Sequence, residues 1–146
     1  MRRERNLEEN VELTTNPSSV LSDEHLSTLV DRFYAKVRDD VLIGPVFNAA
    51  VGDWPQHLER LSAFWSSVML TSGRYKGNPM AVHLKHREAI RAPMFDRWLE
   101  LWAQTARETL DERAAAGVIE KAGRIAESLQ LGLFFRLDES RAPTEP

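Results

Sequence analysis

Apolar residues at helical spacing in four long segments restrict this chain to a fold built from helices. In each segment the apolar positions recur three or four residues apart, which places them on one face of a helix. A shorter helix or turn is expected at 41–50, because Gly44 and Pro45 break the apolar run that would otherwise suit a strand. Another short helix is expected to open at Pro79. The sequence therefore predicts an all-α fold. The four long segments are residues 22–39, 55–70, 93–110 and about 118–135.

The starts of the predicted helices are marked by capping residues and prolines. Ser22 suits the N-cap of the first helix, and two acidic residues follow it in the first turn, where the helix dipole favours them. The last helix is expected to begin near Val118, after a connection with the sequence DERAAAG. Proline occupies the first turn of the remaining helices, where its missing N–H costs little: Pro55, Pro79 and Pro93.

A length of 146 residues, of which 42% are hydrophobic, suits one globular domain with a substantial core. Residues 1–21 mix both charges with Thr, Asn, Pro and Ser and are predicted to be a disordered tail. The folded domain is expected to span 22–137, followed by a disordered tail at 138–146. Neither a secretory signal nor the ~18 continuous apolar residues of a membrane span are found. A cytoplasmic location is expected.

Composition excludes several classes of protein. The net charge of −3 argues against a nucleic-acid partner, because such proteins usually carry a concentrated basic face. With no cysteine, the chain cannot form disulfides, iron–sulfur clusters or thiolate metal sites. Glycine-rich phosphate loops, His-Glu-x-x-His pairs and nucleophile elbows are also missing from the sequence. Because the chain has no cysteine, any metal centre must use His, Asp, Glu, Tyr or Met.

His57 lies at the head of the apolar face of segment 55–70. Leu61, Phe64 or Trp65, and Val68 follow at intervals of three or four residues, so the imidazole is expected to point toward the core. A buried polar ring needs a hydrogen bond, a ligand or a metal to offset its lost hydration. His57 is therefore either a structural histidine bonded to a carbonyl or water, or part of a binding site.

Four inward-facing polar or aromatic side chains on different predicted helices are candidates for one site. A phenol and an indole need hydrogen-bond acceptors when buried, and an imidazole can bind a metal. The combination suits a flat apolar cofactor held by one imidazole, with polar donors on its other face. The indoles could instead simply fill the core. The basic stretch 85–91 is either an anion-binding segment or a solvated surface. The four candidates are Tyr34, His57, His83 and Trp98.

Five stretches in this order resemble the truncated haemoglobins, and most closely their third group. The resemblance covers residues 22–135 and implies a shortened globin, in which two antiparallel helix pairs sandwich haem b. The chain also lacks the paired glycines at the helix corners that mark the other groups. The stretches are DRFYAKVRDD, IGPVFNAA, WPQHLERLSAFWSSVML, YKGNPMAVHL and FDRWLELW.

The resemblance also implies roles for individual residues. His83 matches the proximal iron ligand of the family, and Tyr34, His57 and Trp98 match its distal residues, which would act on the bound gas. One departure is the basic segment KHREAIRAPMFDRW, which carries His86 as a rival ligand. Basic residues there and nearby are expected to pair with the haem propionates: Arg74, Lys85, Arg87 and Arg91. The other expected haem contacts are Phe47, Leu61, Phe64 and Trp65.

The implied function is binding of the diatomic gases O2, NO and CO. Several donors in one pocket predict slow O2 release, and this retention argues against bulk storage of O2. Oxygen transport, as in other haemoglobins, is among the implied roles. NO dioxygenase or peroxidase-like activity, with an electron-donating reductase as partner, is compatible with this pocket. His57 could also bind the iron in the resting state. Two alternatives stay open: a haem enzyme that acts on a small organic substrate, and a haem-free helical sensor or interaction module.

Overall fold

The computed structural model describes residues 20–135, which form six α-helices and no strand. This confirms the all-α fold class. The predicted tails lie outside the described residues, apart from residues 20 and 21. None of the described helices is long and apolar enough to cross a membrane. The helices are α1 (Asp23–Asp39), α2 (Gly44–Ala50), α3 (Trp54–Leu70), α4 (Pro79–Lys85), α5 (Ala92–Thr109) and α6 (Glu112–Gln130), and a π-helical segment (Leu131–Phe135) extends α6.

The start of α1 is fixed by a reciprocal pair of hydrogen bonds. The Ser22 hydroxyl accepts from the His25 N–H at 3.2 Å, and the His25 ring nitrogen accepts from the Ser22 N–H at 3.2 Å. Together they satisfy two donors that the first helical turn leaves unpaired. The apolar face of α1 is fully buried against α3 and α5, as its periodicity predicts.

The structure corrects the start of the last helix. α6 begins at Glu112 rather than near Val118, so the sequence DERAAAG forms its N-cap and first turns. The Asp111 carboxylate accepts from the Ala114 N–H at 2.8 Å, which is an N-cap bond. Three consecutive alanines then favour helix strongly enough to carry it through Gly117. The sequence reasoning missed this start because the segment is short of large apolar residues.

The corner between α1 and α2 is held by Asp40. Its carboxylate accepts from the backbone N–H groups of Leu42 and Ile43, both at 3.1 Å, and from the Arg97 guanidinium of α5 at 2.8 Å. A Cβ atom at Gly44 would lie 3.0 Å from two carbonyl oxygens at the end of α1. Only glycine therefore lets α2 start so close to α1.

Stacked indoles form the centre of the main core. Trp102 stacks on Trp65 with ring centroids 4.4 Å apart, and lies nearly parallel to Trp98 at 5.9 Å. The Trp102 N–H donates to the Val118 carbonyl at 3.0 Å, so this buried polar atom is satisfied. Phe33 packs edge-on against both Trp98 and Trp102. These contacts join α1, α3, α5 and α6 into one unit.

A second, smaller cluster lies at the other end of α5 and α6. Its buried members are Phe95, Ala126, Leu129 and Leu133, against which Met80 and Leu84 of α4 pack. α4 itself has no fully buried residue. The helix that carries His83 is therefore attached to the fold through this smaller cluster rather than through the main core.

Candidate functional site

A cavity of about 480 Å³ opens between the two clusters and receives side chains from all six α-helices. Its volume is within the range of about 300–1,000 Å³ that is typical of ligand and cofactor sites. Its walls are largely apolar and aromatic. Three predicted basic residues, Arg74, Arg87 and Arg91, do not line this cavity. The structure brings the other predicted site residues to it: Tyr34, Phe47, His57, Leu61, Phe64, Trp65, His83, Lys85 and Trp98.

Tyr34 is the centre of a group of rings on one wall. Its ring centroid lies 5.6 Å from that of Phe47 and 6.1 Å from that of His57, both in edge-to-face arrangements. Phe33 contacts both Tyr34 and Trp98, so these side chains form one group drawn from α1, α2, α3 and α5. Such contacts hold the rings in fixed orientations around the polar atoms.

Burial raises the pKa of Tyr34 to about 12, although a hydrogen bond with the Trp98 side chain opposes the rise. The phenol is only 4% exposed, and the charged form is costly in such surroundings. Tyr34 therefore keeps its hydroxyl proton at neutral pH. It is available as a hydrogen-bond donor to a polar ligand in the cavity.

His57 has surroundings that favour the neutral imidazole. Burial lowers its pKa, and the nearby positive charge of Arg60 lowers it further. The Trp54 ring stands edge-on to the imidazole with centroids 5.5 Å apart, and the Arg38 guanidinium covers Trp54 at 4.6 Å. An uncharged His57 offers one N–H donor and one nitrogen acceptor to the cavity.

His83 reaches the same cavity from α4. The Asn78 side chain caps this helix by accepting from the Ala81 N–H at 3.1 Å, and the His83 Nδ1 atom lies 2.7 Å from the Pro79 carbonyl oxygen. A carbonyl can only accept, so Nδ1 carries the proton and Nε2 is left with a free lone pair. This arrangement is typical of histidines that bind metals, because the carbonyl fixes both tautomer and ring orientation.

His86 also lines the cavity, from the turn that follows α4. Its imidazole makes no hydrogen bond of the kind that orients His83 within residues 20–135, and the side chain is exposed. Position alone therefore does not separate the two histidines, but the hydrogen bond to Pro79 favours His83 as a ligand.

The basic residues are arranged differently from the sequence-based expectation. Arg87 is exposed and donates to the Leu84 carbonyl at 3.0 Å, whereas Arg74 pairs with Asp23 at 2.7 Å. Lys85 does line the cavity, as does Arg60 of α3. The sequence reasoning overlooked Arg60, although it lies three residues after His57 and so falls near the same helical face.

Tyr75 is another cavity residue that the sequence reasoning missed. It lies in the connection between α3 and α4, where its backbone N–H donates to the Ser67 hydroxyl at 2.9 Å. Its ring packs edge-on against Phe64, with centroids 5.2 Å apart. Helical periodicity cannot place a residue in a connection, so the sequence held no signal for it.

Comparison with known structures places this helical sandwich among the globins. The crystal structure of a group III truncated hemoglobin from Campylobacter jejuni matches with a TM-score of 0.70 and 30% identity. The match covers 79% of this chain and 93% of that one. The curated group 3 truncated hemoglobin ctb of the same bacterium is 30% identical over an alignment of 118 residues, and the match covers 78% of this chain and 92% of the relative.

The chain belongs to the group 3 truncated haemoglobins. This confirms the resemblance found in the sequence, over nearly the whole of the folded part. A scan against models of protein families found no match. The roles that the resemblance implies for single residues stay predictions.

Proposed function

We propose that the chain holds haem b in this cavity and binds O2, NO and CO there. The observation that carries the proposal is the hydrogen bond of His83 Nδ1 to the Pro79 carbonyl, which leaves Nε2 free inside a cavity lined with polar donors. The largely apolar, aromatic walls suit a flat macrocycle. Haem, when bound, supplies an iron atom at which diatomic gases bind.

On the ligand side of the cavity, Tyr34 and Trp98 each carry a donor proton that stays bound at neutral pH. The indole N–H of Trp98 is directed to the phenol oxygen, which leaves the phenol O–H to donate to the ligand. The phenol of Tyr34 stays protonated because burial raises its pKa, and an indole N–H is a donor only. Donors held in a water-poor pocket stabilise a polarised ligand more strongly than donors in water. Neutral His57 adds an N–H as a further donor. We therefore expect slow O2 release.

Two cations at the cavity suit the carboxylates of haem. Arg60 and Lys85 both line it, and both side chains are exposed enough to adjust. We propose these residues as the principal propionate partners. Arg87, expected from the sequence to play this part, is a weaker candidate since it does not line the cavity.

The experiment that tests haem binding is an absorption spectrum of protein expressed with haem supplied, in the ferric, ferrous and ferrous-CO forms. We expect an intense Soret band that shifts with CO and is lost or altered in His83→Gly, with partial recovery on adding imidazole. His86→Ala is the matched control, because its ring shares the cavity without the bond to a carbonyl. A wild-type protein without haem absorbance would favour the haem-free sensor or interaction module.

A redox role is the second candidate, and the lowered pKa of His57 favours it. A neutral imidazole can accept a proton from a hydroperoxide in the cavity, as a general base does. Retained O2 would also allow oxidation of NO to nitrate, for which a reductase must supply one electron per NO. His57→Leu should slow peroxide turnover while CO still binds. Equal turnover in both proteins would exclude His57 as the base.

A further inference from the structure

The seven-residue helix α4 is held by few contacts. It has no fully buried residue, and the element it mainly packs against is the π-helical segment Leu131–Phe135 at the end of α6. Single π-helical turns occur mostly within α-helices and frequently at functional sites. Here the segment lies against the helix that carries His83.

Gly132 is the point of contact within this segment. A Cβ atom at Gly132 would overlap the sulfur and the terminal methyl group of Met80. Met80 directly follows Pro79, whose carbonyl orients His83, and it lies three residues before His83 on α4. Met80 is also one of the apolar side chains through which α4 joins the smaller cluster. The Met80 thioether therefore fills the space that the missing side chain leaves.

We propose that Gly132 is a positioning residue for His83, an inference that rests on the proposed function. With no side chain, Gly132 lets Met80 pack onto the π-helical segment. This contact fixes the first turn of α4, including the Pro79 carbonyl, and so sets the direction in which His83 Nε2 enters the cavity. A side chain at position 132 makes the flexible end of the Met80 side chain swing away, which breaks this contact and loosens that turn.

The test compares Gly132→Ala with Gly123→Ala, a matched control on α6 where an added Cβ meets no atom within 4 Å. Two quantities are measured: the iron–imidazole stretching band in the resonance Raman spectrum of the ferrous protein, and amide hydrogen exchange in the haem-free protein. In Gly132→Ala we expect a shifted or broadened band and about tenfold faster exchange in α4. Gly123→Ala should leave the band unchanged, and amide exchange in α4 should be no faster than in the wild-type protein.

A double variant separates crowding from a general loss of stability. Met80→Ala removes the overlap, so its effect and that of Gly132→Ala should be strongly non-additive. If Gly132→Ala fails to fold, Met80→Ala alone breaks the same contact without adding volume, and it should shift the band and speed α4 exchange. Strict additivity, or an unchanged band in Met80→Ala, contradicts the proposal.

The outcomes also distinguish this inference from the proposed function. Suppose that the wild-type band is normal, is lost in His83→Gly, and is the same in Gly132→Ala and Gly123→Ala. This result overturns the positioning role alone. A wild-type protein without the band, or a band that survives in His83→Gly, refutes the assignment of His83, and the positioning role falls with it.

Discussion

The imidazole of His57 stands edge-on to the phenol ring of Tyr34, with centroids 6.1 Å apart and planes at 82°. The two polar side chains come from α3 and α1, so packing between these helices determines their relative position. Burial raises the pKa of the phenol and lowers that of the imidazole, and both shifts favour the uncharged form. These two side chains thus offer polar groups to the cavity without carrying charge themselves.

Replacing Tyr34 or Trp98 by Phe should speed O2 dissociation by about tenfold or more. The first change removes a hydrogen-bond donor to a polarised ligand, and the second removes the indole N–H that bonds and orients the phenol. Stopped-flow displacement of O2 by CO measures the rate. Phe64→Leu, which alters the apolar wall and no donor, serves as the control. Unchanged off-rates in both Phe variants would mean that this donor network does not hold the ligand.

High pH should destabilise the wild-type protein through Tyr34. The pKa of its phenol rises from 10.0 to about 12 on folding, so between these values the unfolded chain loses the proton and the folded chain keeps it. The free energy of unfolding should then fall by up to about 2.7 kcal/mol across this range. Urea titrations at several pH values measure it. Subtracting the curve of Tyr34→Phe isolates the contribution of this phenol. Parallel curves for the two proteins would contradict a raised pKa of Tyr34 in the folded state.

Asp40→Asn should lower the free energy of unfolding by about 1–3 kcal/mol at pH 7. Burial would raise the pKa of Asp40, but hydrogen bonds from Ile43, Arg97 and Leu42 lower it below 3.8. The stabilisation is therefore present above about pH 4 and is lost as the pH falls through the folded-state pKa. The difference between the two proteins should shrink in acid.

A control for the Asp40 prediction lies on the same arginine. Glu100 also pairs with Arg97, at 2.7 Å, but its side chain is 68% exposed, against 5% for Asp40. Glu100→Gln should change stability by less than about 1 kcal/mol, since exposed ion pairs contribute little. Equal effects of the two substitutions would show that burial and corner capping are not what makes Asp40 stabilising.

Haem retention should depend on Arg60 and Lys85 more than on Arg87. Arg60→Gln and Lys85→Gln remove charges at the cavity, whereas the Arg87 guanidinium is directed to the Leu84 carbonyl. Transfer of haem to an excess of an apo-globin acceptor gives the dissociation rate. We expect faster loss in the first two variants and little change in Arg87→Gln. The reverse order would support the expectation drawn from the sequence.

Most of the helices could be predicted because apolar residues at helical spacing indicate which face is buried. The long apolar stripe of α1 is an example, since all its members are buried against the neighbouring helices. The same signal failed at the start of α6, where alanines and an aspartate cap form helix without large apolar residues. It also could not show that the π-helical segment follows, because a π turn depends on packing more than on local composition.

The site residues divide along a similar line. Four site residues could be selected because polar groups on inward faces need a partner, and the resemblance to the family then gave each of them a role. They are Tyr34, His57, His83 and Trp98. Arg60 and Tyr75 were missed, since an exposed cation and a residue in a connection carry no inward signal. The hydrogen bond from His83 to Pro79 follows from their spacing of four on one helix, yet only the structure shows that the ring adopts that orientation.

The stacked indoles of the core have an optical consequence. Trp65, Trp102 and Trp98 lie close together with two nearly parallel pairs, and they are three of the four tryptophans in the chain. Transition dipoles this close should couple and give a strong near-ultraviolet circular dichroism signal that depends on their exact geometry. The core thus contains its own chromophore, and loosening of the helices around it would be visible without any added label.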